Sequence, residues 1–300
     1  MDASKRRTLG ALAGLAVMGP ASGKAAMHER AIPSSGEKLP VIGIGTWQTF
    51  DVGADAAARA PLLEVLRLLF AGGGRVVDSS PMYGASESVV GELCEPLGIC
   101  EPLFMATKVW TSGSDEGVRQ MQRSIERMRA GRMDLMQVHN LLDVEAHTRT
   151  LREWRAQKRV RYVGITHYTS SAYGEVERWL KTKQYDFLQI NYSLAESESA
   201  ARLLPLAREL GVAVIANRPF AEGAMFRRVR GKPLPPWAAE LGIASWAQYF
   251  LKWIVSHPAV TCVIPGTARP EHMQDNLAAG LGLLPDEAQR RRMAQYYASL

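Results

Sequence analysis

Cysteine is scarce in this sequence of 300 residues, which contains only Cys94, Cys100 and Cys262. The three do not form a C-x-x-C pair, and no histidines stand at metal-ligand spacing from them, so the sequence predicts no metal site. A disulfide between Cys94 and Cys100 would suit an oxidising compartment, but the pattern favours three buried free thiols.

Long apolar runs and basic stripes are also missing. The run from Leu9 to Gly19 falls well short of the roughly 20 residues that a helix needs to cross a bilayer, so we expect no stable membrane span. The formal net charge is +6, and the first 26 residues contribute half of it. The remaining charge is weak and is not interleaved with aromatic residues in a stripe, which argues against nucleic-acid binding.

Residues 1–26 have the organisation of an export signal. Basic residues precede the apolar run, and small residues follow it. Arg6 and Arg7, within "KRRTL", resemble the twin-arginine motif of the machinery that exports folded proteins. The alternatives are a general secretory signal or a chance pair of arginines. We therefore predict cleavage near residues 25 and 26, a periplasmic location, and a single mature domain over residues 27–300.

Short apolar runs alternate with amphipathic segments along the rest of the chain. We predict helices over residues 57–71, 116–129, 144–157 and 197–210. Eight runs have the composition of buried strands: "VIGIGTW" from Val41, "RVVDSS" from Arg75, "LFMATKVW" from Leu103, "DLMQVHN" from Asp134, "VRYVGITHY" from Val160, "DFLQINYS" from Asp186, "GVAVIANRP" from Gly211 and "VTCVIPGT" from Val260.

Eight parallel strands, each followed by a helix, are typical of a (β/α)8 barrel of about 250 residues. The alternative is a doubly wound sheet, which a G-x-G-x-x-G turn after the first strand would favour, and the sequence has none there. The segment "RRVRGKPLPPWAAELG", before the eighth strand, predicts a loop over one mouth of the barrel.

Four chemically distinctive side chains fall at the ends of three consecutive predicted strands. Asp78 ends the second strand, and Tyr83 lies in the loop after it. Lys108 ends the third strand, and His139 ends the fourth. Each residue alone has a structural explanation, such as a turn cap or a charge at the barrel rim. In a barrel, however, all these strand ends surround one pocket, and the four together favour a catalytic site.

These four groups suit proton donation to a carbonyl oxygen. An ammonium beside a phenol lowers the phenol's pKa from about 10, so we expect Lys108 to make Tyr83 a better acid. Asp78 would compensate the charge of the buried lysine. His139 would hold a carbonyl against the tyrosine, and no activated serine or cysteine nucleophile accompanies the set.

The same motifs resemble those of the aldo-keto reductase superfamily. "VVDSSPMYG", "MATKV" and "DLMQVHN" match its Asp, Tyr, Lys and His tetrad in order and context, and the resemblance covers about residues 41–277. It implies an enzyme that transfers a hydride from NADP(H), with NAD(H) as the alternative cofactor, to a small-molecule aldehyde or ketone. Tyr83 would donate the proton.

The resemblance also implies a set of cofactor-binding residues. Asn217 stands where many members have a tyrosine that stacks under the nicotinamide, a role that Phe220 could partly take. Gly266 and His272 replace a lysine and an arginine that are common near the adenosine phosphate. The implied residues are Thr46, Trp47, Thr166, His167, Gln189 and Asn217 around the nicotinamide, and Thr267, Arg269 and Asn276 around the phosphate.

Two other functions are compatible with such a barrel. One is a cofactor-binding accessory or sensor subunit with little turnover, against which the complete tetrad argues. The other is a hydrolase that depends on a metal or on paired acids. Such a hydrolase needs paired acids or metal ligands at the strand ends. The strand ends offer only Asp78, for which Lys108 is the expected partner.

Overall fold

The computed structural model describes residues 26–300, and residues 1–25 of the predicted export signal lie outside this range. Within it, no helix is both long enough and apolar enough to span a membrane. The strands are β1 (Glu29–Ala31), β2 (Lys38–Pro40), β3 (Ile44–Gly45), β4 (Val76–Asp78), β5 (Phe104–Val109), β6 (Met133–His139), β7 (Val160–Thr166), β8 (Phe187–Asn191), β9 (Ala213–Asn217) and β10 (Cys262–Val263).

Helices alternate with the strands from β3 onward. Two short 3-10 helices cover Ser170–Ala172 and Pro236–Leu241. The α-helices are α1 (Ala56–Ala71), α2 (Ser86–Cys94), α3 (Ser114–Arg127), α4 (Val144–Ala156), α5 (Tyr173–Leu180), α6 (Ser199–Glu209), α7 (Ala224–Arg228), α8 (Trp246–Val255), α9 (Pro270–Ala278) and α10 (Glu287–Ala298).

Strands β3 to β10 form one parallel sheet in sequence order. A parallel bridge between Ile42 and Val263 brings the two edges of this sheet together. There the backbone N–H of Gly43 donates to the carbonyl oxygen of Val263 at 2.9 Å. The predicted (β/α)8 barrel is therefore confirmed, and the doubly wound alternative is wrong.

The antiparallel hairpin of β1 and β2, which the sequence analysis did not predict, closes the N-terminal end of the barrel. Ile32 and Leu39 of this hairpin are buried in the apolar cluster inside the barrel. Phe104 and Phe187, which begin β5 and β8, belong to the same cluster. The apolar part of the barrel interior therefore lies at the N-terminal ends of the strands.

Strand parity explains why the opposite end of the interior is polar. Residues two apart on a strand point to the same side of the sheet. On β5, Phe104 and Ala106 lie in the interior cluster, and Lys108 follows at the same parity. On β4, Val76 lies in that cluster, and Asp78 follows. The interior thus changes from apolar to ionisable side chains toward the C-terminal ends of the strands.

The segment 227–242, predicted as a loop over one mouth of the barrel, makes contacts that this prediction did not include. It contains the end of α7 and the second 3-10 helix. The guanidinium of Arg228 donates to the carbonyl oxygen of Ala298 at 3.0 Å and lies 4.9 Å from the centroid of the Tyr297 ring. The segment therefore packs against the C-terminal helix α10.

Cys94 and Cys100 form a disulfide, so the interpretation of three free thiols is wrong for this pair. Cys94 ends α2, and the turn that follows brings the two Cα atoms within 5.0 Å of each other, which suits a disulfide. Cys262 is the free cysteine of the described residues, and its burial in the barrel raises the pKa of its thiol.

Candidate active site

Asp78 and Lys108 form a buried ion pair at the C-terminal end of the barrel. The Lys108 Nζ lies 2.7 Å from Asp78 Oδ2 and donates to the carbonyl oxygen of Ser79 at 2.6 Å. Burial lowers the pKa of Lys108, but the charges and hydrogen bonds of Asp78 and Tyr83 outweigh it, so the pKa lies above its ordinary value. The lysine therefore remains an ammonium in an interior where an unpaired charge would be costly.

The second carboxylate oxygen of Asp78 accepts two side-chain amides. Gln137 Nε2 donates to Oδ1 at 3.1 Å, and Gln189 Nε2 donates to the same atom at 2.8 Å. Gln189 was predicted as a site residue, but Gln137 was not. The available signal was its position two residues before His139 on β6, which gives both side chains the same direction.

The loop that carries Tyr83 is fixed by a glycine and a carboxylate. Gly84 has a φ of +58°, and a Cβ there would lie 2.3 Å from a carboxylate oxygen of Asp51. Asp51 Oδ1 accepts the backbone N–H of Ala85 at 2.8 Å, just before α2 begins. Gly84 therefore lets the chain turn directly after Tyr83 while Asp51 binds the start of the helix.

Tyr83 lies beside two other residues of the tetrad, Lys108 and His139. The Lys108 Nζ is 5.1 Å from the centroid of the Tyr83 ring, and the centroid of the His139 imidazole is 5.9 Å from it in an edge-on arrangement. Burial is the largest influence on the pKa of Tyr83 and raises it. The charge of Lys108 lowers this pKa and the charge of Asp78 raises it, so the pKa lies above its ordinary value. The predicted net lowering by Lys108 is therefore wrong, because desolvation outweighs the ammonium.

His139 is neutral in this site. Burial, with the positive charge of Lys108 and then His167 as smaller causes, lowers the pKa of His139 to about 2. Its Nδ1 lies 3.0 Å from the Oγ of Ser80, a fully buried residue that was not predicted as part of the site. The sequence signal for Ser80 was its position two residues after Asp78.

The residues predicted around the nicotinamide meet at the ends of β7, β8 and β9. Thr166 Oγ1 donates to Gln189 Oε1 at 3.3 Å, and Asn217 Nδ2 donates to the same oxygen at 3.4 Å. Asn217 Nδ2 also donates to the carbonyl oxygen of His167 at 3.1 Å. Through Gln189 this group is connected to Asp78.

Two further residues predicted around the nicotinamide lie after β3. Thr46 is fully buried, and its Oγ1 donates to Ser79 Oγ at 2.9 Å. Trp47 is 43% exposed. Phe220, by contrast, packs in an aromatic cluster, with its ring centroid 4.8 Å from that of Phe226. The structure therefore gives no support to its stacking role.

The residues predicted around the phosphate lie at the start of α9. Thr267 Oγ1 accepts the backbone N–H of Arg269 at 3.0 Å, and Arg269 Nε donates to Glu271 Oε1 at 2.7 Å. The Arg269 side chain is 65% exposed, whereas Asn276, further along the helix, is buried. Arg269 is thus available to solvent but shares its charge with a neighbouring carboxylate.

No group of three histidine, cysteine, aspartate or glutamate side chains within residues 26–300 is arranged to hold a metal ion. The tetrad that the sequence predicted is instead organised around one lysine: a carboxylate on one side, a phenol ring near its ammonium, and a neutral imidazole beside that ring.

Comparisons with known proteins give one consistent family. The sequence profile of the aldo/keto reductase family matches residues 41–292. The chain is 26% identical over 275 residues to aldo-keto reductase str7 of Strobilurus tenacellus, covering 77% of this chain and 80% of that protein. It is 24% identical over 259 residues to an aldo-keto reductase of Mycolicibacterium smegmatis, covering 83% of this chain and 87% of that protein.

Solved structures show the same fold. An aldo-keto reductase from Klebsiella pneumoniae in complex with NADPH aligns with a TM-score of 0.74 at 24% identity, covering 91% of this chain and 95% of that one. An aldo/keto reductase from the same organism, in complex with NADP and acetate, aligns with a TM-score of 0.72 at 25% identity, covering 87% and 93%.

Proposed function

Because the chain belongs to the aldo/keto reductase family, we propose that it is an oxidoreductase that uses NADPH to reduce an aldehyde or ketone, with Tyr83 as the general acid. The observation that carries this proposal is the Lys108 ammonium, which lies 2.7 Å from Asp78 and 5.1 Å from the Tyr83 ring. NAD(H) is the alternative cofactor.

The site fits a nicotinamide at the ends of β7 to β9. Asn217 Oδ1 is buried and has no hydrogen-bond partner among the described residues, so it can accept the N–H of an amide placed there. Thr166, His167 and Gln189 would form the rest of this contact, with Thr46 and Trp47 beside it. Thr267, Arg269 and Asn276 would hold the adenosine phosphate. When bound, the cofactor supplies a hydride.

The proton comes from the chain's own residues. Tyr83 has a raised pKa and keeps its proton at neutral pH, so it can donate to a carbonyl oxygen as negative charge develops on that oxygen. The ammonium of Lys108 stabilises the resulting phenolate. Neutral His139 orients the carbonyl oxygen beside the phenol by a hydrogen bond.

The Tyr83→Phe variant tests this assignment. We expect carbonyl reduction to fall by roughly 10² to 10⁴, the usual contribution of a positioned general acid, while the dissociation constant for NADPH stays within about twofold because the ring itself remains. Reduction is followed by NADPH consumption with a panel of aldehydes. Near-normal turnover of the variant would contradict the role of Tyr83.

Tyr296→Phe is the matched control, because its hydroxyl lies on α10 and donates to the carbonyl oxygen of Pro233, not to any residue of the tetrad. It should turn over like the wild type. If the wild type binds NADPH but consumes none with any aldehyde, the accessory or sensor function is the better description.

We also propose that the twin-arginine machinery exports the folded chain to the periplasm. The support is the Arg6-Arg7 pair before a short apolar run, together with the disulfide between Cys94 and Cys100. Disulfides persist in oxidising compartments such as the periplasm and are rare in the cytosol. A protein exported in its folded state could also carry a bound nicotinamide with it.

Replacing Arg6 and Arg7 together by lysine tests this route, since the charge is kept and only the arginine pair is lost. We expect the double variant to remain in the cytoplasmic fraction of a bacterial host, with Cys94 and Cys100 accessible to a thiol reagent after denaturation. The control Lys5→Arg should be exported. Normal export of the double variant would indicate a general secretory route or no signal function.

A further inference from the structure

We propose that Ser80 is a positioning residue for His139: its hydroxyl donates to Nδ1 and so fixes the ring tautomer that carries the proton on Nε2. This inference rests on the proposed function, in which His139 orients the substrate carbonyl. It assigns a role to a residue that the motif of four tetrad side chains does not include.

The contact joins two strands that are not neighbours in the sheet. Ser80 follows the end of β4, and His139 is the last residue of β6, with β5 between them. The Oγ of Ser80 lies 3.0 Å from the Nδ1 of His139. Ser80 is fully buried and His139 is 5% exposed. The distance alone allows either atom to be the donor.

Accounting for the buried protons gives the direction of this hydrogen bond. Among the described residues, the Oγ of Ser80 has one other hydrogen-bond partner. This partner is the backbone N–H of Met82 at 3.4 Å, which can only donate. If Nδ1 also donated, the hydroxyl proton of Ser80 would have no acceptor. Because Ser80 is closed to solvent, leaving that proton unpaired is unfavourable. If Ser80 donates to Nδ1, every one of these protons has an acceptor.

The direction of that bond determines what His139 presents to the pocket. A neutral imidazole carries one proton, so a ring that accepts at Nδ1 carries it at Nε2. His139 Nε2 makes no hydrogen bond within residues 26–300, and it is not among the polar atoms that are sealed from solvent. It is therefore free to donate to a carbonyl oxygen, whereas the other tautomer would direct a lone pair at that oxygen.

Nitrogen NMR of the histidine side chains tests the tautomer directly, without turnover. Long-range ¹H–¹⁵N correlations distinguish a ring protonated at Nε2 from one protonated at Nδ1. The chain has six histidines, and the signals of His139 are those absent from a His139→Gln variant. We expect the Nε2-protonated form in the wild type and in Ser80→Thr, which keeps the hydroxyl. Ser80→Ala should show the Nδ1-protonated form or a mixture.

Steady-state kinetics tests the consequence. We expect Ser80→Ala to lower kcat/KM for an aldehyde about tenfold, roughly the worth of one neutral hydrogen bond, without a change in the dissociation constant for NADPH. Ser80→Thr should recover most of this loss. The control is Ser124→Ala, which removes a buried serine hydroxyl from α3, on the outside of the barrel, and should change neither the tautomer nor the kinetics.

The outcomes separate this inference from the proposed function. An Nδ1-protonated ring in the wild type, or an unchanged tautomer in Ser80→Ala, overturns the role of Ser80 whatever the activity. An altered tautomer with unchanged kcat/KM overturns its importance for the reaction. Normal turnover of Tyr83→Phe contradicts the general acid but leaves the tautomer assignment standing.

Discussion

At the scale of single residues, burial sets the protonation states of the site. It is the largest cause of the raised pKa of Tyr83 and of the lowered pKa of His139. Lys108 keeps its charge because Asp78 lies 2.7 Å away. The phenol and the imidazole are therefore neutral at physiological pH while the lysine is charged, which is the combination that the proposed donation from Tyr83 requires.

The histidine gives this balance a measurable pH dependence. The pKa of His139 is about 2 in the folded chain against an ordinary value of 6.5, so only the unfolded state takes up the proton as the pH falls. The contribution of neutral His139 to the free energy of unfolding is complete above pH 6.5 and is lost as the pH falls below that value. Between pH 8 and pH 5, we expect the wild type to lose about 2 kcal/mol of unfolding free energy relative to His139→Gln.

Urea unfolding of both proteins at the two pH values measures this difference. Leu283→Ala is the control, because it changes an exposed side chain and keeps every histidine, and it should lose as much unfolding free energy between the two pH values as the wild type does. An identical pH dependence in the wild type and in His139→Gln would show that the folded site accepts the proton.

At the scale of the elements, sequence periodicity found the barrel strands but not the hairpin. Each of the eight predicted runs overlaps a strand of the barrel. Strands β1 and β2 have three residues each, too few to show an alternating pattern. The disulfide was considered but not favoured for a related reason, because the approach of Cys94 to Cys100 depends on the conformation of the turn between them.

The candidate site was predictable where residues lie at strand ends, and not where polar side chains contact those residues from elsewhere in the barrel. Asp78, Lys108 and His139 follow from strand position and parity, and Tyr83 from the loop after β4. Gln137 and Ser80 are polar residues within or beside buried strands, and only the packed barrel shows which side chains they contact. The net direction of the Tyr83 pKa also needed the structure, because it depends on the depth of burial.

The disulfide gives a prediction for the connection between α2 and β5. It closes a short loop with a sequence separation of six, and a loop of that size stabilises a fold by about 2 kcal/mol through the entropy of the unfolded chain. We expect a Cys94→Ser, Cys100→Ser double variant to lose about this much unfolding free energy. A reductant should destabilise the wild type equally and leave the double variant unchanged. Insensitivity of the wild type to the reductant would contradict the disulfide.

At the scale of the whole molecule, parallel strands place every predicted part of the site on one face. The hairpin of β1 and β2 closes the other end of the barrel with apolar side chains. The ends of β7 to β9 carry the predicted nicotinamide contacts, and α9, which follows β10, carries Thr267 and Arg269. A dinucleotide can therefore extend along this face, from the tetrad to the start of α9.

A cofactor that spans this face should stabilise the whole barrel, and the size of the effect should reveal which cofactor is preferred. Arg269 is the one charged side chain among the residues predicted around the phosphate, and it already shares its charge with the carboxylate of Glu271. We therefore expect NADPH to bind only about ten- to a hundredfold more tightly than NADH, a difference of roughly 1.4 to 2.7 kcal/mol.

Thermal unfolding at equal cofactor concentrations, supported by fluorescence titration, measures this preference. In the wild type, NADPH should raise the Tm by a few degrees more than NADH does. In Arg269→Ala the two shifts should become nearly equal, mainly through weaker NADPH binding. The control is Arg67→Ala, which removes an arginine from another exposed pair, 2.6 Å from Glu64 on α1, and should leave the preference intact. Equal shifts in the wild type, or an undiminished preference in Arg269→Ala, would mean that Arg269 does not recognise the phosphate and that the predicted phosphate site at the start of α9 is wrong.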